Sequence, residues 1–490
     1  MVCLRRLLIH LKSTEGGITL FEQYAIVPWV AQGEELKRRQ SATEWKTEAS
    51  KLSEQLGEQL LTFLWPLLQQ LSHENKVDKR PLRTLVQTVE AILAFRDEAH
   101  GLLLSELGGY LDGLAGGGGG VKRLETLIHH EKWKAQDIED FLLARAIQQV
   151  EIWQQQAEEG LLIWDGTMLE KPESLKGEGL CPVRSSKAGR LTRIKKGYYR
   201  PPGAPICVPG LHGIGLLLAG RRKEQGPPQF AGLRWWSSRG IFQSWERDEN
   251  CRLLRVVSAV FGRRVLHVFD RGYCGAPWLG TLFHFEVRFV QRFKHRNHLV
   301  DANGIKQAGW KIARGKKGLA PRTIYDAVHR ENVEGSVLFF PVTHPDFPDW
   351  PLTLVVGRRK GLEPMYLLTN EQVETAQEAW SIVFAYIRRW RIEMGFRHLK
   401  SDLAIESIRV FGWEERGKLL GLLSLAYSFL LELMRADRRW ARDWLLRWLC
   451  PRRGQRLREV EMPFARLRLA LSKLWLAYPC WFVRRGKLQL

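Results

Sequence analysis

Negative charge is short in this sequence: 53 Asp and Glu stand against 75 Lys and Arg, a net charge of +22 and a pI near 9.9. Such a balance favours a polyanionic partner, either nucleic acid or an anionic membrane surface. Long apolar runs are also missing. The longest, from Leu419 to Met434, is interrupted by Ser424, Tyr427, Ser428 and Glu432. It falls short of the roughly 20 residues a bilayer span needs and reads as a buried helix, so no membrane partner is expected. Cysteine is sparse. Seven are scattered over 490 residues without a CxxC pair, which speaks against a zinc knuckle or a disulfide framework and suits a reducing compartment. The opening MVCLRRLLIHLKSTEGG breaks its apolar stretch at His10 and Lys12 and precedes no small-residue cleavage site, unlike a secretory leader. No internal repeat is evident. The glycine run AGGGGG at 115–120 lacks the Lys-Ser/Thr of a phosphate loop and reads as a joint.

What is present divides the chain by pattern. Residues 1–157 are mostly helical: 50–72 has helical periodicity with a break expected at Pro66, 81–106 and 121–158 continue in that style, and Lys122 and Arg123 fall near a helix start. From 158 to 283 the pattern alternates strands and helix, with LLIWDGT at 161–167, HGIGLLLAG at 212–220, GLRWWSS at 232–238, a helix over 248–262 and RVLHVFDRGY at 264–273. Residues 284–370 are rich in short strand-like runs. Helix returns over 371–410, and 411–490 is helical, basic and tryptophan-rich. Between 183 and 200 the run VRSSKAGRLTRIKKGYYR has no acid, and Lys187, Arg190, Lys195 and Lys196 suit a loop that tracks phosphates as well as they suit a solvated surface.

Three carboxylates stand out. Asp165 ends the apolar run LLIW and Asp270 ends VLHVF, positions from which an acid can project into a cleft at a sheet edge. Either alone is more commonly a turn residue. The third, Glu393, lies in YIRRWRIEMGFRHLK (386–400). At about 100° per residue, one helix there would put Tyr386, Arg389, Trp390, Glu393, Arg397 and Lys400 on one side and Ile392, Phe396 and Leu399 on an apolar stripe. A solvated i,i+4 ion-pair face would look the same. Yet the order strand–Asp165, strand–Asp270, helix–Glu393 would gather three acids at one edge of a mixed sheet. Mg²⁺ prefers such oxygen donors, and paired ions can stabilise both oxygens of an in-line phosphodiester displacement.

The spacing Tyr386-x2-Arg389-x3-Glu393-x6-Lys400, with DGT at 165–167 and DRGY at 270–273, resembles the Y-R-E-K signature and the first two acids of bacterial DDE transposases of insertion-sequence family four. The likeness is specific over about 160–410, architectural before it and weak after it. It implies an α/β protein: an RNase-H-like mixed-sheet catalytic core interrupted by a β-rich insertion, with helical N- and C-terminal regions, the first binding DNA ends. Asp165, Asp270 and Glu393 would be both catalytic and metal-binding, holding two Mg²⁺ for which Mn²⁺ can substitute. Tyr386, Arg389 and Lys400 would contact phosphates, with Trp390 beside the terminal nucleotides and Arg397 on the same side. Tyr366 would stack a flipped base, and Arg271, Arg292 and Lys294 would touch the backbone. Double-stranded DNA, as terminal inverted repeats and target, would be the partner of a homodimer on paired ends. The expected location is cytoplasmic, nucleoid-associated and prokaryotic. A catalytically inactive transposase-derived DNA-binding protein, or an RNase-H-like nuclease without strand transfer, is the alternative.

Overall fold

The computed structural model describes residues 35–94, 101–112, 118–174, 176–186, 196–200, 205–326, 331–450 and 463–479. Five helices come first: α1 (Glu35–His73), α2 (Lys79–Ala94), α3 (Leu104–Asp112), α4 (Gly119–Ile128) and α5 (Ala135–Gln155). The break expected at Pro66 does not occur, and α1 runs through it. Proline removes one ladder bond, but Leu56, Leu60, Leu64, Leu67 and Leu71 are wholly buried at helical spacing and hold the helix to its neighbours. Burial of that face outweighs the missing bond.

Twelve strands form one sheet. The first six are β1 (Gly160–Glu170), β2 (Cys181–Arg184), β3 (Cys207–Gly220), β4 (Gln229–Trp236), β5 (Val265–Phe269) and β6 (Arg288–Arg292). Then follow β7 (His298–Asp301), β8 (Lys306–Ala308), β9 (Leu319–Asp326), β10 (Glu331–His344), β11 (Phe347–Arg359) and β12 (Met365–Thr369). Around the acids the order is β4-β3-β1-β5-β6, antiparallel from β4 to β1 and parallel from β1 through β5 to β6. Gly160–Trp164 of β1 are all buried, as the centre of a sheet covered on both faces requires. The strands of the β-rich stretch extend the same sheet, because β12 pairs antiparallel with β6 and leads on through β11 and β10 to β7 and β8.

Alternation along β1 and β5 decides which residues meet which helices. Leu162, Trp164 and Phe269 pack on the face covered by α6 (Glu246–Phe261) and α7 (Ala276–His284). Leu161, Ile163, Leu266 and Val268 belong to the opposite core, with α9 (Ala376–Ile387), α10 (Trp390–Ser401) and α11 (Trp413–Glu432). The expectation of a buried helix near Leu419–Met434 is met in α11, which packs against α2, α5 and α13 (Phe464–Ala477). Two shorter helices complete the set: α8 (Gly309–Ala313) beside β7 and β8, and α12 (Arg439–Trp448) against α13. Among the described residues no single helix is long and apolar enough to cross a membrane.

Residues 386–400 do not form the single helix that their spacing predicts. The chain breaks at Arg388 and Arg389, between α9 and α10. There the bonds tighten to i→i−3: Arg389 N donates to Tyr386 O at 2.9 Å and Arg391 N to Arg388 O at 3.0 Å. Tyr386 therefore lies in the last turn of one helix while Glu393 and Lys400 ride on the next.

Candidate active site

Asp165 and Asp270 each stand two residues beyond the last paired positions of adjacent parallel strands, Ile163 and Val268. They are thus level with one another in register. By alternation both share parity with Ile163 and Val268, on the face that carries α10. The third acid arrives from α10 itself. Asp165 lies in register opposite Gly215 of β3, and a Cβ on Gly215 would stand 2.7 Å from Phe396 Cζ and 3.4 Å from Ile392 Cδ1. Glycine at this strand position allows α10 to approach β3 closely. Glu393 follows Ile392, so it is held at the edge of the same contact.

One guanidinium joins two of the acids. Arg389 Nη1 donates to Asp165 Oδ2 at 3.0 Å, and its Nη2 donates to Glu393 Oε1. Its Cζ lies over the ring of the buried Tyr386, 5.9 Å from the centroid. Asp270 accepts from Gly272 N as the cap of a short 3₁₀ turn, and Asp165 accepts from Gly166 N at 2.9 Å. Burial pushes the Asp165 carboxyl up from 3.8 to about 6, against the pull of Arg389, and the charges of Asp270 and Glu393 push it further the same way. Asp165 therefore senses both of the other acids. An all-oxygen donor set carrying mutually repelling charge fits a hard divalent cation. As arranged, no group of three acid, His or Cys side chains among the described residues is close enough to hold an ion; the Arg389 guanidinium lies between Asp165 and Glu393.

Beside Asp165 and Asp270 opens a cleft of about 650 Å³, walled by Trp236, Trp245, Asn250, Tyr273 and Trp278 among others. Behind the acids Trp164 Nε1 donates to His267 Nδ1 at 3.1 Å, and burial drives His267 down to about 3, so that it is neutral and serves packing. Sequence reasoning passed over the cleft-lining aromatics from the β4–α6 connection, and nothing in their spacing singles them out. It passed over Gly215 too, although two glycines at alternate positions in a strand (Gly213 and Gly215) signal close approach of another element.

The other expected residues are dispersed. Trp390 is 54% exposed at the start of α10 and Arg397 is exposed two turns on. Lys400 Nζ lies 3.8 Å from Glu406 Oε1. Arg271 is exposed directly after Asp270, and Lys294 is exposed after β6. Arg292 pairs in register with Leu367. Tyr366 is half-buried with its ring 5.7 Å from that of His295, and it does not line the cleft. Lys196 is exposed, whereas Lys187, Arg190 and Lys195, with the first 34 residues, Ala115–Gly117 of the glycine run and Trp481, lie outside the described residues.

The raised Asp165 carboxyl has a consequence for stability. The folded state holds that proton more tightly than the unfolded chain, so ionising it costs stability as pH rises from about 4 to 6. Asp165→Asn removes that cost. In metal-free buffer the variant should match the parent below pH ~4 and exceed it by roughly 1–3 kcal/mol above pH ~6. Denaturant midpoints at both ends of that range check the sign, and a variant less stable than the parent at neutral pH would contradict it.

Residues 251–429 match the model of the family described as transposase DDE domain. That stretch takes in Asp270, Tyr386, Arg389, Glu393 and Lys400 and leaves Asp165 outside. No curated protein matches the chain. Among solved structures, a cryo-EM structure of a piggyBac transposase synaptic complex with hairpin DNA is similar at 11% identity and a TM-score of 0.32, covering 67% of this chain and 55% of that one. So distant a likeness carries no argument. What the family match shows is a likeness of residues 251–429, under half of the chain, to the transposase DDE domain.

Proposed function

We propose that this protein is a cut-and-paste DNA transposase: water attacks the phosphodiester at the element's end, and the freed 3′-OH then attacks target DNA. What supports the reading is that Asp165 and Asp270 stand at the ends of adjacent parallel strands, that Arg389 bridges Asp165 to Glu393 of the helix, and that Asp165 is electrostatically coupled to both other acids. The strand order β4-β3-β1-β5-β6, three antiparallel then three parallel with β1 shared, supports an RNase-H-like core over 158–283 and 371–410. In this reading 284–370 is the β-rich insertion, 1–157 binds DNA ends, 411–490 is a basic helical region, and the working unit is a homodimer on paired ends near the nucleoid.

Divalent cations held by the three carboxylates, Mg²⁺ or Mn²⁺, would supply positive charge to the attacking and leaving oxygens. The chain's own part is positioning. Arg389 neutralises Asp165 and Glu393 while they are close together, and its guanidinium suits a phosphate oxygen once they are otherwise engaged. Tyr386 fixes the guanidinium from below, and exposed Trp390 offers a face on which a terminal base can stack. Lys400, Arg397 and Arg271 lie on exposed or half-exposed ground where backbone phosphates can be met, and Lys196 belongs to a basic loop with the same capacity.

The test is incubation of the purified protein with Mg²⁺ and duplexes ending in the inverted repeats that flank its gene, both intact and precut. The expected result is 3′-OH ends and joining of precut ends to a target plasmid. Cleavage without joining would indicate a nuclease of this fold, and binding with neither would indicate an inactive descendant.

A further inference from the structure

Between residues 294 and 322 there are eight lysines and arginines and a single acid, Asp301. That acid is spent locally: its carboxylate accepts from Asn303 N at 2.9 Å, Ile305 N at 3.0 Å and Gln307 Nε2 at 2.6 Å. The basic residues do not scatter. Strands β7 and β8 end the sheet, and the short helix α8 folds back over them. Gly309 N donates to Asn297 O and Trp310 N to His295 O, both at 3.0 Å, which ties the helix to the segment after β6. Arg358 fastens the far side, donating to Lys316 O at 2.7 Å and Ala313 O at 2.8 Å. Arg296, Lys306, Lys311, Arg314, Lys316 and Lys317 are thereby gathered on one rigid knob, all exposed.

Lysine on an edge strand is often only a guard against edge-to-edge pairing. That accounts for Lys306 on β8. It does not account for the cations on α8 and the turn after it, where no strand edge exists. The Trp310 ring lies against two of these cations, with Lys311 Nζ 5.9 Å and Arg314 Cζ 5.7 Å from its centroid. The knob is also continuous with the site. Lys294 N donates to Cys274 Sγ at 3.5 Å, and Cys274 lines the cleft beside Asp270.

We propose that this knob, residues 294–317, is a duplex-DNA backbone clamp that grips the helix flanking the phosphodiester held at the acids. The inference rests on the DNA-processing reading and extends it to a surface outside the acids and the signature helices. Phosphates are the complement of a rigid cluster of Lys and Arg whose single acid, Asp301, is occupied within its own turn, and such contacts carry no base information. The clamp thus supplies affinity and register to any sequence, while sequence choice resides elsewhere.

The experiment uses the full chain and a variant with Lys306→Gln, Lys311→Gln, Lys316→Gln and Lys317→Gln together. Binding of a labelled duplex of arbitrary sequence is measured against salt, with unfolding midpoint and Mg²⁺-dependent nicking followed in parallel. All four side chains are exposed, so the midpoint should be unchanged. The expected result is a salt slope smaller by roughly three to four and an affinity roughly a hundred- to thousandfold weaker at about 0.15 M salt, alike for unrelated sequences. A parent that binds steeply and a variant with the same slope and affinity would overturn the clamp and leave the transposase reading intact. A parent that binds no duplex at all would overturn both.

Discussion

Purified Glu393→Gln should fold and bind end DNA like the parent yet lose Mg²⁺-dependent cleavage by about a thousandfold or more, the equivalent of several kcal/mol of transition-state charge stabilisation. The fold should survive because the Glu393 side chain is 34% exposed and Arg389 keeps its second partner, Asp165, in the variant. DNA binding should survive because removing a negative charge near phosphate does not weaken attraction. Glu393→Asp keeps the charge but draws the carboxylate back by about one methylene, when ligand distances tolerate only ~0.2 Å. It should lose most activity with Mg²⁺ and recover part of it with Mn²⁺, a recovery the Gln variant should not show. A plasmid-nicking assay with each metal decides. Cleavage at the parent's rate by Glu393→Gln would reduce this acid to one partner of a surface ion pair.

Gly215→Val should cost cleavage roughly a hundredfold, the loss expected when a reacting group is displaced by about 1 Å. The added side chain has nowhere to go: even its Cβ would meet Phe396 at 2.7 Å, and the ring belongs to the helix that carries Glu393. Relief requires α10 to lift from β3, which moves the third acid away from Asp165 and Asp270. Overpacking of this kind costs about 1–3 kcal/mol, so the protein should remain folded, and stability and activity can be read separately. Gly213→Ala is the comparison. Its Cβ would meet Trp235 at 2.7 Å and Thr167 Cγ2 at 3.0 Å, so that its nearest contacts are with β4 and β1 and not with α10, and it should destabilise while sparing cleavage more. Equal activity loss in both variants would mean that the effect is general strain and not displacement of Glu393.

How much of this was legible beforehand follows from the range over which each signal acts. The runs LLIWDGT and RVLHVFDRGY could be read as strands ending in acids because a strand buried on both faces must be continuously apolar, and β1 and β5 bear this out. The apolar stripe Ile392, Phe396 and Leu399 was legible as well, and all three are buried. The break at Arg388–Arg389 was not, because both residues keep helical dihedrals and only the hydrogen-bond partner changes. Helical spacing cannot report a switch from i−4 to i−3. Likewise Pro66 signals a break by its chemistry, and only the surrounding leucine packing overrides it.

The sequence by itself determined the charge, the alternation that sends Asp165 and Asp270 to the same face as Ile163 and Val268, and the residue types able to hold a divalent cation. These are local or compositional properties, written in single residues and their neighbours. Tertiary structure alone decided that Arg389 reaches Asp165, 224 positions away, as well as Glu393. It alone made Gly215 the floor on which α10 rests, and left Tyr366 outside the cleft while Trp245 entered it. Each of these depends on strand order and on how closely a helix approaches a sheet, quantities that arise only when elements distant in sequence bury their apolar faces against one another.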